Sequence, residues 1–169
     1  MIWVPSDDQA WEPAEIVSND GKSVTVRLVK DSNAIKRIQG DIGSFEGVDV
    51  ECLRESYDNL VDMPSLNEGN VLHHVRKRYV NDEIYTLVGD ILVAVNPFKA
   101  MAPAFYSSAT MEKMLTKVKN HAVGAGVNVP HVFTVAATAL YKMRTEGEDQ
   151  SVLISGESGA GKTEVCVQL

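Results

Sequence analysis

Ser151-Val152-Leu153-Ile154-Ser155-Gly156-Glu157-Ser158-Gly159-Ala160-Gly161-Lys162-Thr163-Glu164 is the stretch that decides how this chain is read. Val152 to Ile154 is a short apolar run with β-branched residues, the composition of a buried strand. A glycine-rich loop follows, then Lys162-Thr163 and the start of a helix. The spacing fits G-x-x-x-x-G-K-[ST], in which a loop after a strand cradles phosphates. The residue types suit that chemistry. Gly156, Gly159 and Gly161 let the backbone turn and approach an anion closely. Successive N–H groups around a concavity bind it, and a helix N-terminus adds a favourable dipole. Lys162 is placed to reach the β- and γ-phosphates of a nucleotide, and the Thr163 hydroxyl to bind Mg²⁺. A Gly-Ser surface turn could carry the same letters, but the strand before the loop is the context that the motif requires.

The chain has 169 residues, enough for one good core or for one small and one medium unit. At 44% hydrophobic and 23% charged residues it is globular rather than disordered. A net charge of −7 argues against a nucleic-acid binder that works through a basic surface. It leaves nucleotide binding open, because a phosphate loop makes its own local positive field. Cys52 and Cys166 have neither metal-ligand nor redox spacing, so each reads as a small packing residue in a reducing, cytoplasmic setting. No apolar run is long enough to span a bilayer, and the N-terminus lacks a signal-peptide pattern.

Residues 1 to 50 read as a small β unit. Ala14 to Val17 is a strand candidate and Ser18-Asn19-Asp20-Gly21 a turn. Ser23 to Val29 alternates, with Val24, Val26 and Leu28 on one face, and Ala34 to Gln39 is a further strand. Short strands with polar turns suggest a small antiparallel barrel. Trp3 and Trp11 could line a peptide groove, but packing is the commoner use of such rings and is the expectation.

Residues 51 to 64 read as a linker. Ser65-Leu66-Asn67-Glu68 fits a capping box, and Leu72, Val75 and Tyr79 give an amphipathic helix to about Arg78. His73 and His74 are adjacent and do not share a helix face, so a two-histidine metal site is not expected. Arg76-Lys77-Arg78 is expected to be a solvated face. Ile84 to Val88 is a strand and Gly89-Asp90 a turn. Ile91 to Val95 is a nearly wholly apolar second strand, as expected for one covered on both faces; it ends at Asn96-Pro97. Met111, Met114, Leu115 and Val118 form one helix face, with Ser107 or Ser108 as cap. Gly124 and Gly126 break the chain. Pro130 suits a first helical turn. The next helix carries a stripe of Val132, Val135, Ala136, Ala139, Leu140 and Met143, and a polar connector, Glu146 to Gln150, leads into Val152.

The loop Gly156-Glu157-Ser158-Gly159-Ala160-Gly161-Lys162-Thr163-Glu164 resembles that of the myosin motor, and the segments before it follow the same family in order. These are Leu66-Asn67-Glu68, Arg78-Tyr79, Ile84-Tyr85-Thr86 and Leu92-Val93-Ala94-Val95-Asn96-Pro97-Phe98-Lys99. Pro130-His131-Val132-Phe133 is similar to the family segment that begins the helix before the phosphate-loop strand, with His131 structural rather than catalytic. Trp3-Val4-Pro5 and Trp11 match the opening of the SH3-like barrel found at the N-terminus of many myosins. After Glu164 the chain reads Val165-Cys166-Val167-Gln168-Leu169, where the family continues differently.

The resemblance implies an SH3-like β-barrel at 1–50 and a linker at 51–64. It implies the start of an α/β P-loop motor domain at 65–169, incomplete after the loop. It implies ATP and Mg²⁺ as cofactors, held by the nine residues from Gly156 to Glu164, with Thr163 on the metal. In the family the Asn-Pro-Phe-Lys loop lies against adenine, which makes Asn96, Pro97 and Lys99 purine-loop positions. Tyr106 is the candidate for the family's tyrosine, although Ala100 to Phe105 makes the loop longer than usual. It also implies actin filaments and light chains as partners of a full-length parent, and a cytoplasmic, cytoskeletal location. No residue of the chain is assigned a catalytic role, and the chain alone is expected to be inactive as an ATPase. The alternatives are another P-loop NTPase, such as a kinesin-like motor, or a non-catalytic interaction module that uses the barrel.

Overall fold

The computed structural model describes residues 1–120 and 129–169; the expected break at Gly124 and Gly126 lies outside the described residues. The chain forms two compact units, residues 1–56 with 62–77 and residues 57–61 with 78–169.

The first unit is built on a curled antiparallel half-barrel. Its strands β1 (Ile2–Ser6), β2 (Ala10–Asn19), β3 (Ser23–Leu28) and β4 (Ile35–Gln39) lie in the order β1-β2-β3-β4. The register slips between Ile16 and Ser18, so Val17 forms a bulge that sharpens the twist. The chain after β4 returns to β1, where the Trp3 N–H donates to the Glu46 carbonyl at 2.9 Å and Ile2 bridges Gly47. Alternation along β3 turns Val24, Val26 and Leu28 inward, as expected, onto Ile2, Val4 and Ala14.

Trp3, between Ile2 and Val4, takes the opposite face. It packs on α2 (Glu68–Val80) instead of inside the barrel, with its indole Nε1–H donating to Asn70 Oδ1 at 2.9 Å. The expected linker contains α1 (Val50–Arg54), capped by the Asp49 carboxylate, which accepts from the Glu51 N–H. Cys52 is buried there. The cap of α2 is Asn67 rather than Ser65: Asn67 Oδ1 accepts from the Asn70 N–H at 2.8 Å, the ideal reach for the residue just before the helix.

Asp20 organises the β2–β3 turn. Its carboxylate accepts from the N–H groups of Lys22 and Ser23 and pairs with Arg37 at 2.6 Å. The bond from Lys22, then those from Ser23, draw its pKa down to about 2 from 3.8. The turn therefore keeps this contribution in full above about 3.8 and loses it as pH falls through about 2. A carboxyl-resolved NMR titration is expected to find the Asp20 midpoint near 2; a midpoint near 4 would show that these bonds do not persist in solution.

The second unit joins an antiparallel hairpin, β5 (Tyr85–Val88) and β6 (Ile91–Ala94), to α3 (Ser108–Asn120), α4 (Val132–Glu146) and α5 (Lys162–Gln168). Ile84, Tyr85, Met114, Val132 and Phe133 form its core, with α3 packed on α4. Ser107 caps α3 through Oγ to the Thr110 N–H. Three expectations change here. β6 is not covered on both faces: Ile91 is 66% exposed, and among the described residues β5 is the only strand paired with β6. The buried side of α4 runs through Phe133, Thr134 and Ala137, while Met143 is exposed. Met111 is exposed too, and Met114 and Val118 carry the α3 contact.

The run Arg76-Lys77-Arg78 is not one solvated face, because consecutive helical residues point about 100° apart. Arg76 binds the Gln9 side chain and carbonyl, and Lys77 donates to the carbonyls of Arg54 and Glu55 at the end of α1. Arg78 is buried. Its guanidinium donates to the carbonyls of Tyr85 and Tyr57 and pairs with Asp58 at 3.0 Å.

Candidate functional site

The glycine-rich loop is held on α5 at one end. Lys162 opens that helix, and Val165 packs against the aromatic core. Gly159 and Gly161 have φ of 81° and 91°, the left-handed region in which a side chain is strained, so the loop conformation depends on them. A Cβ at Gly156 would lie 3.2 Å from that of Ala160, so the start of the loop passes close over its end. Lys162 folds back across this arch. Its Nζ donates to the carbonyls of Gly156 and Glu157, both at 2.8 Å. The Glu157 carbonyl also accepts from the Ala160 N–H at 3.2 Å. Glu157, Ser158, Thr163 and Glu164 are exposed around the arch.

Val152 to Ile154 do not form the expected strand. They lie outside both sheets, and Leu153 is 93% exposed. A strand is made by its neighbours, and β6 offers this segment no ladder among the described residues. Beside it lies a cavity of about 560 Å³, walled by Ile91, Leu92, Val132, Val135 and Val152, with Ala160 and Lys162 also in its lining.

The loop after β6 reaches the glycine arch. Asn96 Nδ2 donates to the Gly159 carbonyl at 2.7 Å, and Asn96 Oδ1 accepts from the Phe98 N–H at 2.9 Å. The Pro97 carbonyl accepts from the Tyr79 hydroxyl at 3.3 Å. Lys99 pairs with Asp82 at 2.5 Å, both exposed. Tyr106 stands elsewhere in the unit, with its hydroxyl 3.0 Å from that of Tyr85 and its ring edge-on to Phe105 and His131. Burial raises the Tyr85 hydroxyl well above the usual phenol range, so Tyr85 stays neutral. The structure thus brings Asn96 to the arch and sets Tyr106 in the aromatic core.

His131 ties that core together, as a structural residue. Its Nδ1 accepts from the Phe133 N–H at 3.1 Å and caps α4, so the proton sits on Nε2, which donates to the Phe105 carbonyl at 3.1 Å. The signal was available in the sequence, since a side-chain acceptor two residues before an N–H is a capping spacing. Burial lowers the His131 pKa below its ordinary 6.5. Protonation would remove the cap acceptor, so the stabilisation is complete above 6.5 and is lost as pH falls through the lowered value. His131→Asn keeps a cap acceptor that does not titrate. Its melting temperature is expected to fall less than that of the unaltered chain between pH 7 and pH 5; parallel curves would rule out the cap as the cause.

Among the described residues no cluster of three or more His, Cys, Asp or Glu could hold a metal, and no helix is long and apolar enough to cross a membrane. The family described as myosin head (motor domain) matches residues 57–169. Over 169 residues the chain is 36% identical to Myosin-13 of Arabidopsis thaliana, covering 100% of this chain and 11% of the relative. It is 38% identical to Myosin-8 of the same plant over 96% of this chain and 10% of that protein, and 37% identical to Myosin-6 over 97% and 10%. The chain therefore spans about a tenth of the length of the curated relatives it matches.

Proposed function

This chain belongs to the myosin head (motor domain) family, and on that premise we propose that its glycine arch binds the triphosphate of Mg-ATP as part of an actin-based motor. The observation that carries this is the arch itself. Lys162 crosses a loop whose turns need Gly159 and Gly161, and its ammonium is held by two carbonyls at the arch. An arriving phosphate meets a fixed cation and nearby backbone amides, with little ordering left to do.

Mg²⁺ fits the same place. It takes few protein oxygens beside phosphate and water oxygens rather than an all-protein cage, and the exposed Thr163 hydroxyl, beside Lys162, would supply one of them. When bound, the ion neutralises phosphate charge and orients the terminal phosphate. Lys162 supplies the second positive charge, and Gly156 to Glu164 frame the anion. Asn96, Pro97 and Lys99 form the loop on the base side.

We read the N-terminal half-barrel as an SH3-like barrel. It is supported by the strand order, the bulge at Val17 and the return of residues 46–48 onto β1. In the longer protein, ATP hydrolysis would be coupled to actin filaments, with light chains on the lever and a cytoskeletal location. Membership of the myosin family takes the place of the kinesin-like alternative. Calorimetric titration of the 169-residue chain with Mg-ATP and with Mg-tripolyphosphate tests the phosphate site. Saturable binding of both is expected, and binding of neither overturns the assignment.

A further inference from the structure

We propose that Asn96 is a positioning residue for the phosphate arch, acting through one peptide plane on the seat of Lys162, rather than a contact to the base. The inference rests on the phosphate reading of the loop and adds to it the part that Asn96 plays.

The geometry runs through the Gly159–Ala160 peptide. Its carbonyl accepts from Asn96 Nδ2 at 2.7 Å, and its N–H donates to the Glu157 carbonyl at 3.2 Å. That peptide plane is therefore fixed from both sides. The same Glu157 carbonyl accepts from Lys162 Nζ at 2.8 Å. A rotation of the peptide would release Glu157 and with it one of the two carbonyls that seat the ammonium. Gly159, with φ of 81°, is the residue at which such a rotation is easiest, since glycine has the widest choice of backbone angles.

Asn96 is suited to stop that rotation. Its own amide is immobilised, because Oδ1 accepts from the Phe98 N–H at 2.9 Å while Nδ2 reaches Gly159. Phe98 has φ of 50°, an unfavourable conformation for an aromatic residue, held by this bond. Asn96 also lies against Gly161, where a Cβ would come within 3.7 Å of its side chain. One of the two N–H bonds of its amide is committed to the arch, and its oxygen to its own loop. A base contact would have to come from the second N–H, with the amide plane already fixed by the other two bonds.

The test is a set of three ligands on the 169-residue chain: Mg-ATP, Mg-GTP and Mg-tripolyphosphate. Asn96→Ala is expected to weaken all three by a similar factor, about fivefold for one lost hydrogen bond. Asn96→Asp keeps the acceptor for Phe98 and loses the donor to Gly159, so it is expected to weaken all three at least as much. Hydrogen exchange without ligand gives a readout that does not depend on binding: the Ala160 amide is expected to exchange faster in both variants at an unchanged melting temperature. Loss of ATP binding with tripolyphosphate unaffected would make Asn96 a base contact and overturn the proposal. Unchanged Ala160 exchange would also overturn it, while leaving the phosphate site in place. If the unaltered chain binds none of the three ligands, the phosphate reading itself fails and the proposal falls with it.

Discussion

Lys162→Ala is expected to weaken Mg-ATP binding by about a hundredfold, the loss of a charge-assisted bond worth roughly 3 kcal/mol. The loss should be the same for Mg-tripolyphosphate, because the proposed site has the ammonium meet phosphate and not base. Lys162→Arg should recover little. The two carbonyls of Gly156 and Glu157 receive a single rotatable ammonium at 2.8 Å each, and a planar guanidinium presents its donors in a different geometry. Lys99 provides the contrast. It is exposed and paired with Asp82, and surface pairs of this kind are worth about 0–1 kcal/mol. Lys99→Ala should therefore alter mainly the preference between ATP and GTP and leave tripolyphosphate affinity within about twofold. Titration of each variant with the three ligands decides the matter. Equal losses for the two variants on every ligand would mean that Lys162 does not address phosphate.

Gly69→Ala is expected to destabilise the first unit by about 3 kcal/mol, against the sign that helix propensity gives. Glycine inside a helix costs about 1 kcal/mol relative to alanine, so from sequence alone the substitution looks stabilising. In the folded unit a Cβ at Gly69 would fall 2.3 Å from Trp3 Cγ and 2.4 Å from Cδ2. These are ring atoms of a side chain that is 1% exposed. The indole cannot swing aside at its tip, because Nε1–H is bonded to Asn70 Oδ1, and relief would leave both of those groups buried without their bond. Overpacking costs about 1–3 kcal/mol and an orphaned buried polar group about 1–3 more, which together exceed the propensity gain. Urea unfolding followed by Trp3 fluorescence in a Trp11→Phe background measures it. A variant more stable than its parent would show that the indole does not rest on α2 in solution.

These two residues show how the sequence divides between what is legible and what is not. Lys162 could be singled out from the sequence because the motif that marks it is set by neighbours in the chain. A phosphate loop is a local motif, and glycines at fixed offsets from Lys-Thr report their own backbone. Gly69 was legible only as a cost, since the ring that explains it comes from residue 3, which no spacing rule connects to residue 69. The same distinction explains Asn96. Its place in a turn ending β6 could be read from Asn-Pro. Its bond to Gly159, 63 residues away, could not, because it depends on the hairpin and α5 meeting in one unit.

The corrections follow the same line. Ser65 lost the cap to Asn67 because helix ends are settled by which side chain reaches a free N–H. Arg78 left the cationic run for the interior because Asp58, Glu83 and the carbonyls of Tyr57 and Tyr85 offer a desolvated guanidinium enough partners. Val152 to Ile154 has the composition of a strand, but strand formation is a property of a pair.

By itself, the sequence determined the alternating inner face of β3, the hairpin of β5 and β6, the opening of α5 at Lys162 and the family to which the chain belongs. Each is written in periods of two or 3.6 residues or in a contiguous motif, and local sterics are enough to enforce it. Only the tertiary structure decided that Trp3 rests on Gly69, that residues 62–77 fold with the first unit, that His131 reaches the Phe105 carbonyl, and that Asn96 binds the Gly159 carbonyl. Those facts are long-range contacts, fixed by burial and by the need of each enclosed donor and acceptor for a partner.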